Sequence, residues 1–208
     1  MRHTGPNSFV REWLLLNMGA MLAGYVLYTP IAHGITGGHA SRQLTTAQLT
    51  AHSIALVVVA VLVATAQRRA LAGFVSVPWR RIIIVAIAFP VAFWIGYNQP
   101  WINGPDTDIL VGFLVLGSAV WLGSVPAKGH LAAAMIALAS FPFASFVAEV
   151  CLLVAFTLLH ITPAFQTSEL QHSIFWITVG GITGILGGWL SGLAIARMLA
   201  GTPRERAA

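Results

Sequence analysis

The stretch IFWITVGGITGILGGWLSGLAIA, residues 174–196, carries no charged side chain and is followed at once by Arg197. About 20 apolar residues in a helix, rising about 1.5 Å each, cross the hydrocarbon core of a bilayer. Within the stretch, Gly180, Gly184, Gly188 and Gly192 recur every four residues, with Gly181 and Gly187 beside them. Small residues at that spacing form a ridge that lets another helix backbone approach closely. The segment therefore reads as a tightly packed membrane helix. Ala20 and Gly24 in the first apolar stretch offer a matching face within the chain; a seam in a homo-oligomer or against a membrane-complex partner is the alternative.

Five further apolar stretches precede it: Trp13–Ala32, Thr46–Ala66, Ile82–Tyr97, Ile109–Leu122 and Leu131–Leu159. Hydrophobic residues make up 57% of the 208-residue chain and charged residues 8%. Soluble domains carry about 25% charged residues. Six spans with short loops use nearly the whole length and leave no room for a soluble domain. The basic residues orient the spans. Arg2 and Arg11 precede the first, and Arg68, Arg69, Arg80 and Arg81 lie between the second and third. Lys128 lies between the fourth and fifth, and Arg197, Arg204 and Arg206 follow the sixth; of the eleven Lys and Arg, only Arg42 falls elsewhere. Basic residues flanking spans stay on the cytoplasmic side. The expected fold is all-α: a polytopic membrane protein with six transmembrane helices as three hairpins, both termini inside, in a bacterial cytoplasmic (inner) membrane.

The net charge of +5 comes from these loop residues and fits attraction to the lipid bilayer's anionic headgroups rather than nucleic acid. The first apolar run is too long for a signal-peptide core and reads as a retained span. Cys151 is alone, which excludes an intrachain disulfide. Most of the seven tryptophans lie near span ends, where they anchor helices at the headgroup level. Pro90 and Pro142 fall mid-span and each removes a backbone donor, which predicts kinks. Two local matches suggest a hairpin repeat: Ala88–Ala92 resembles Ser140–Ala144, and His52-Ser53-Ile54 and His172-Ser173-Ile174 each open an even-numbered span.

Two segments extend the comparison. Ala64-Thr65-Ala66-Gln67-Arg68-Arg69 is followed by Pro78-Trp79-Arg80-Arg81, and the last helix is glycine-rich over Gly180–Leu199. In these features the chain resembles a loosely defined group of bacterial six-span membrane proteins built of repeated helical hairpins. The middle hairpin lacks the Gln and Arg. The resemblance implies the fold and carries no activity with it.

Polar residues outside the topogenic set gather on the outer side of that topology. His33, His39 and His52 flank the first outer loop; Asp106 and Asp108 occupy the second; His160, Glu169 and His172 flank the third. Imidazole and carboxylate ligate transition metals, and imidazole handles protons near neutral pH. His33, His52, His160 and His172 are the metal or haem candidates, because two axial imidazoles need similar depth and His52 and His172 open parallel spans. The spacing matches no known metal motif, and the sequence names no cofactor. Glu149 lies near the middle of the fifth span, where a carboxylate is costly unless neutralised, paired or hydrated. With Asp106 and Asp108 it forms the proton or substrate candidate set. No Gly-x-Ser-x-Gly elbow, His-Glu-x-x-His motif or phosphate loop supports a hydrolase or transferase. The sequence favours movement of a small solute, proton or cation. The alternative is a cofactor-binding or structural membrane subunit of a larger redox or energy-converting complex.

Overall fold

In the computed structural model, residues 6–36, 45–72, 74, 76–80, 82–84, 86–87, 90–91, 131–159 and 169–200 are described. All regular structure among them is helical. The four long helices are α1 (Pro6–Thr36), α2 (Thr46–Leu71), α3 (Leu131–Leu158) and α4 (Glu169–Ala200). Residues 80, 82–84, 86–87 and 90–91 are also helical and begin the expected third span. The fourth expected span, Ile109–Leu122, lies outside the described residues.

Among the described residues, three segments are long and apolar enough to cross a membrane: Thr46–Leu71, Ala139–Leu158 and Ser173–Ala200. Each helix contains the apolar run that predicts it and extends beyond it at one or both ends, except α3, which ends at Leu158. At the start of α2, Gln48 N donates to Thr45 Oγ1 (3.3 Å) while Thr45 N donates to Gln48 Oε1 (2.8 Å), a reciprocal cap that satisfies two exposed donors. Further in, hydroxyls return to their own backbone: Thr29 Oγ1 donates to Tyr25 O and Ser191 Oγ to Gly187 O, both at 2.6 Å.

Helix α1 packs on α2 and on α4, and α4 packs in turn on α3. Cross-helix contacts set the directions. Tyr28 meets His52 and Asn17 meets Gln67, so α1 and α2 are antiparallel. Tyr25 meets Gly180 and Trp13 meets Gly192, so α1 and α4 are antiparallel. Phe141 meets Gly187 and Phe156 meets Phe175, so α3 and α4 are antiparallel. In consequence Arg11, Arg68, Arg69, Arg80 and Arg197 all lie at one end of the bundle, around a core of Phe9, Trp13, Leu71, Ile195 and Met198.

The outward faces are apolar. Ile54 on α2, Phe143 and Phe146 on α3 and Ile174 on α4 are each more than half exposed. Inside, Asn17, His52, Gln67, Ser140, Ser145, Thr183 and Ser191 are buried. Large apolar residues outside and polar ones within is the distribution that a hydrocarbon solvent selects, because backbone and side-chain polar groups must be satisfied internally there.

The glycine ridge of α4 faces α1. A methyl group placed at Gly184 would stand 2.7 Å from Met18 Cα, and one at Gly188 would stand 3.3 Å from Asn17 Cβ and 3.4 Å from Leu14 Cα. At Gly192 it would lie 3.0 Å from the Trp13 ring. The α1 face in contact is thus Trp13, Leu14, Asn17, Met18, Met21 and Tyr25, not the Ala20–Gly24 face expected from the sequence. Gly24 instead admits Val59 of α2, 2.9 Å from the same test position. Grooves of glycine accept bulky side chains, so small residues on one helix need not face small residues on the next.

Candidate functional site

Among the described residues, two polar clusters cross the bundle. The first lies toward the arginine end. Trp13 Nε1 donates to Ser191 Oγ at 2.9 Å, joining α1 to α4. Asn17 Nδ2 donates to Trp13 O at 2.8 Å, and Gln67 Nε2 of α2 donates to Asn17 Oδ1 at 3.0 Å. Trp13, Asn17 and Ser191 are fully buried, and Gln67 nearly so. Each buried donor finds an acceptor, so three helices are tied together at little desolvation cost. This cluster is a fastener, and its groups are satisfied by one another.

The second cluster holds the titratable groups. Glu149 stands on α3 at the edge of its inward face, four residues after buried Ser145, one turn of helix. Ser145 Oγ donates to Glu149 Oε1 at 3.2 Å. The carboxyl is within electrostatic reach of the buried Tyr25 hydroxyl of α1, and so is Tyr28. The two tyrosine rings meet edge to face with centroids 6.5 Å apart. Tyr28 Oη in turn lies 3.1 Å from His52 Nδ1 of α2, in a hydrogen bond. Carboxyl, two phenols and imidazole therefore run from α3 across α1 to α2.

Gly180 makes this arrangement possible, since a methyl group there would overlap the Tyr25 ring. Val179, beside Gly180, packs with Ala148 and Phe175. Asn17 and Thr183 do not bond Glu149. Asn17 is engaged by Trp13 and Gln67, and Thr183 Oγ1 is buried with no hydrogen-bond partner among the described residues.

Of the remaining candidates, Asp106, Asp108 and His160 lie outside the described residues, as does His39. His33 falls in α1 and His172 in α4 as helical backbone, with their side chains outside the described set. Among the described residues no three His, Cys, Asp or Glu side chains gather as a metal-binding group. The structure brings Glu149 and His52 into one polar cluster through two tyrosines that the sequence reading passed over. Their signal was available: Tyr25 and Tyr28 stand three residues apart on one helix face within an otherwise apolar run. No protein-family model, curated protein or solved structure matches the chain.

Proposed function

We propose that the protein is a multi-pass inner-membrane protein that moves a small solute, a proton or a cation, with Glu149 as its intramembrane site. One observation carries the reading. Glu149, half-buried at the edge of the inward face of α3, takes a hydrogen bond from buried Ser145 and lies within electrostatic reach of buried Tyr25. A carboxylate at that depth is expensive, and chains keep one where a proton or cation needs a stopping place. Tyr25, Tyr28 and His52 extend the titratable line from Glu149 toward the end of the bundle opposite the arginines. Asp106, Asp108 and the outer histidines would stand at the mouth of that path. The six-span, both-termini-inside topology belongs to the same proposal and is supported by the single basic end of the described helices.

Reconstitution of the full chain into vesicles tests this. With a trapped pH dye and an imposed gradient or potential, proton flux should exceed that of empty vesicles, and Glu149→Gln should reduce it to that background. The amide keeps the shape and the hydrogen bond from Ser145 but cannot titrate. If protons do not move, tracer uptake of small cations under the same gradient is the second arm. Flux of neither, or equal flux in Glu149→Gln and the native chain, would overturn the assignment.

A further inference from the structure

At the arginine end the turn after α2 is held by Arg68. Its Nε donates to Val77 O at 2.9 Å, and its Cζ stands 4.1 Å from the centroid of the Trp79 ring. The guanidinium is thus fixed at two points. One face is covered by the indole, the Nε edge is used by the turn, and the terminal nitrogens keep their fork of donors. Arg69 and Arg80 lie directly beside this pair in sequence and are both exposed, and Trp79 is 60% exposed. Phe9 meets Phe74 edge to face at 5.1 Å, which brings the start of α1, with Arg11, against the same turn. Among the described residues at this end the one acidic side chain is Glu12 of α1, against five arginines.

We infer that the turn between α2 and the following helix, with Arg68, Arg69, Trp79 and Arg80, binds the phosphodiester headgroup of an anionic phospholipid. Three features select that ligand. A planar guanidinium held in place gives two parallel N–H groups at the spacing of two phosphate oxygens, which a free side chain reaches only at an entropic cost. Exposed Trp79 on the same turn is the side chain that settles at headgroup depth, with its ring against the acyl boundary. Two further arginines supply the surplus charge, each adding to the attraction of an anionic headgroup. A soluble phosphate compound would use the arginines and the hold of Trp79 on Arg68, but would gain nothing from the 60% exposure of the indole, which suits headgroup depth. The site is independent of the Glu149 cluster, which lies on the other side of the Trp13–Asn17–Gln67–Ser191 fastener.

The test uses the full chain in nanodiscs of phosphatidylcholine with a minor fraction of phosphatidylglycerol, and reads by native mass spectrometry which lipids stay bound on release. Phosphatidylglycerol should be retained over phosphatidylcholine by about tenfold or more relative to its supply, as two added arginine contacts would give. The double variant R69Q/R80Q should lose most of that preference while Arg197→Gln, at the same end but on α4, keeps it. Arg68→Lys, which retains charge without the fork, should weaken it as well. An equal loss in Arg197→Gln would show diffuse charge attraction and overturn the site. So would displacement of the lipid by millimolar inorganic phosphate, which would assign the arginines to a free anion. If the double variant fails to fold, the native chain alone decides: no preference for phosphatidylglycerol overturns the inference.

Discussion

Asn17 illustrates how a single polar residue acts inside an apolar bundle. Its amide accepts from Gln67 and donates to the Trp13 carbonyl, so its replacement strands a buried donor on another helix. Asn17→Leu should cost about 1–3 kcal/mol, the usual penalty for an unsatisfied buried group, and lower the melting temperature in detergent. Trp13→Phe removes the bond to Ser191, whose hydroxyl still donates to Gly187 O, together with part of a fully buried ring. The lost bond by itself should cost about 0.5–1.5 kcal/mol, less than the Asn17 change. A larger loss in Trp13→Phe than in Asn17→Leu would show that ring packing, not the polar network, holds these helices. Glu149 is the contrasting case. Glu149→Gln should leave the melting temperature near the native value while abolishing flux, whereas a purely structural acid would be silent in both measurements. The sequence made Glu149 conspicuous because it is charged; it gave no comparable signal for Asn17 or Gln67, whose role depends on meeting each other.

At the scale of the helix, α4 is decided by what its glycines touch. Gly184 leaves no room toward the Met18 backbone, whereas a methyl group at Gly181 would meet only Leu22 Cδ1, at an ordinary 3.6 Å. Gly184→Leu and Gly188→Leu should therefore lower stability strongly, by roughly 2 kcal/mol or more, because backbone cannot yield as a side-chain tip can. Gly181→Ala should be close to neutral, and Leu186→Val, a trim of one methylene at a half-buried position, should cost about 1 kcal/mol. Thermal unfolding of the set in one detergent separates the positions, and equal melting temperatures for Gly184→Leu and the native chain would contradict the close approach. Gly180→Ala probes something different. It should displace Tyr25 and so reduce flux more than it reduces stability. The four-residue spacing made the ridge readable. Its partner was not readable, because glycine grooves accept large side chains as well as small ones, and the sequence offered both on α1.

For the whole molecule, the basic residues on the described helices lie at one end, and that supports a definite orientation. In intact cells, with Cys151 first replaced by alanine, an impermeant thiol reagent should label a cysteine at position 105 and leave one at position 75 unlabelled. The reverse pattern would invert the topology. Cys151 itself is exposed on the outer face of α3; in the native chain it should react with a membrane-soluble reagent and resist the impermeant one, as a lipid-facing thiol does. The sequence alone determined the helical class and the places of the four long described helices, because a chain with 57% hydrophobic and 8% charged residues must satisfy its backbone within each segment, and uninterrupted apolar runs mark where it does so. It determined the basic asymmetry for the same reason: a charge cannot be hidden in hydrocarbon. Only the tertiary structure decided which faces turn inward. Apolar side chains are equally at home against lipid and against protein, so their periodicity points nowhere, and the pairing of Gln67 with Asn17, of Ser191 with Trp13 and of Tyr28 with His52 exists only once the helices have been set side by side.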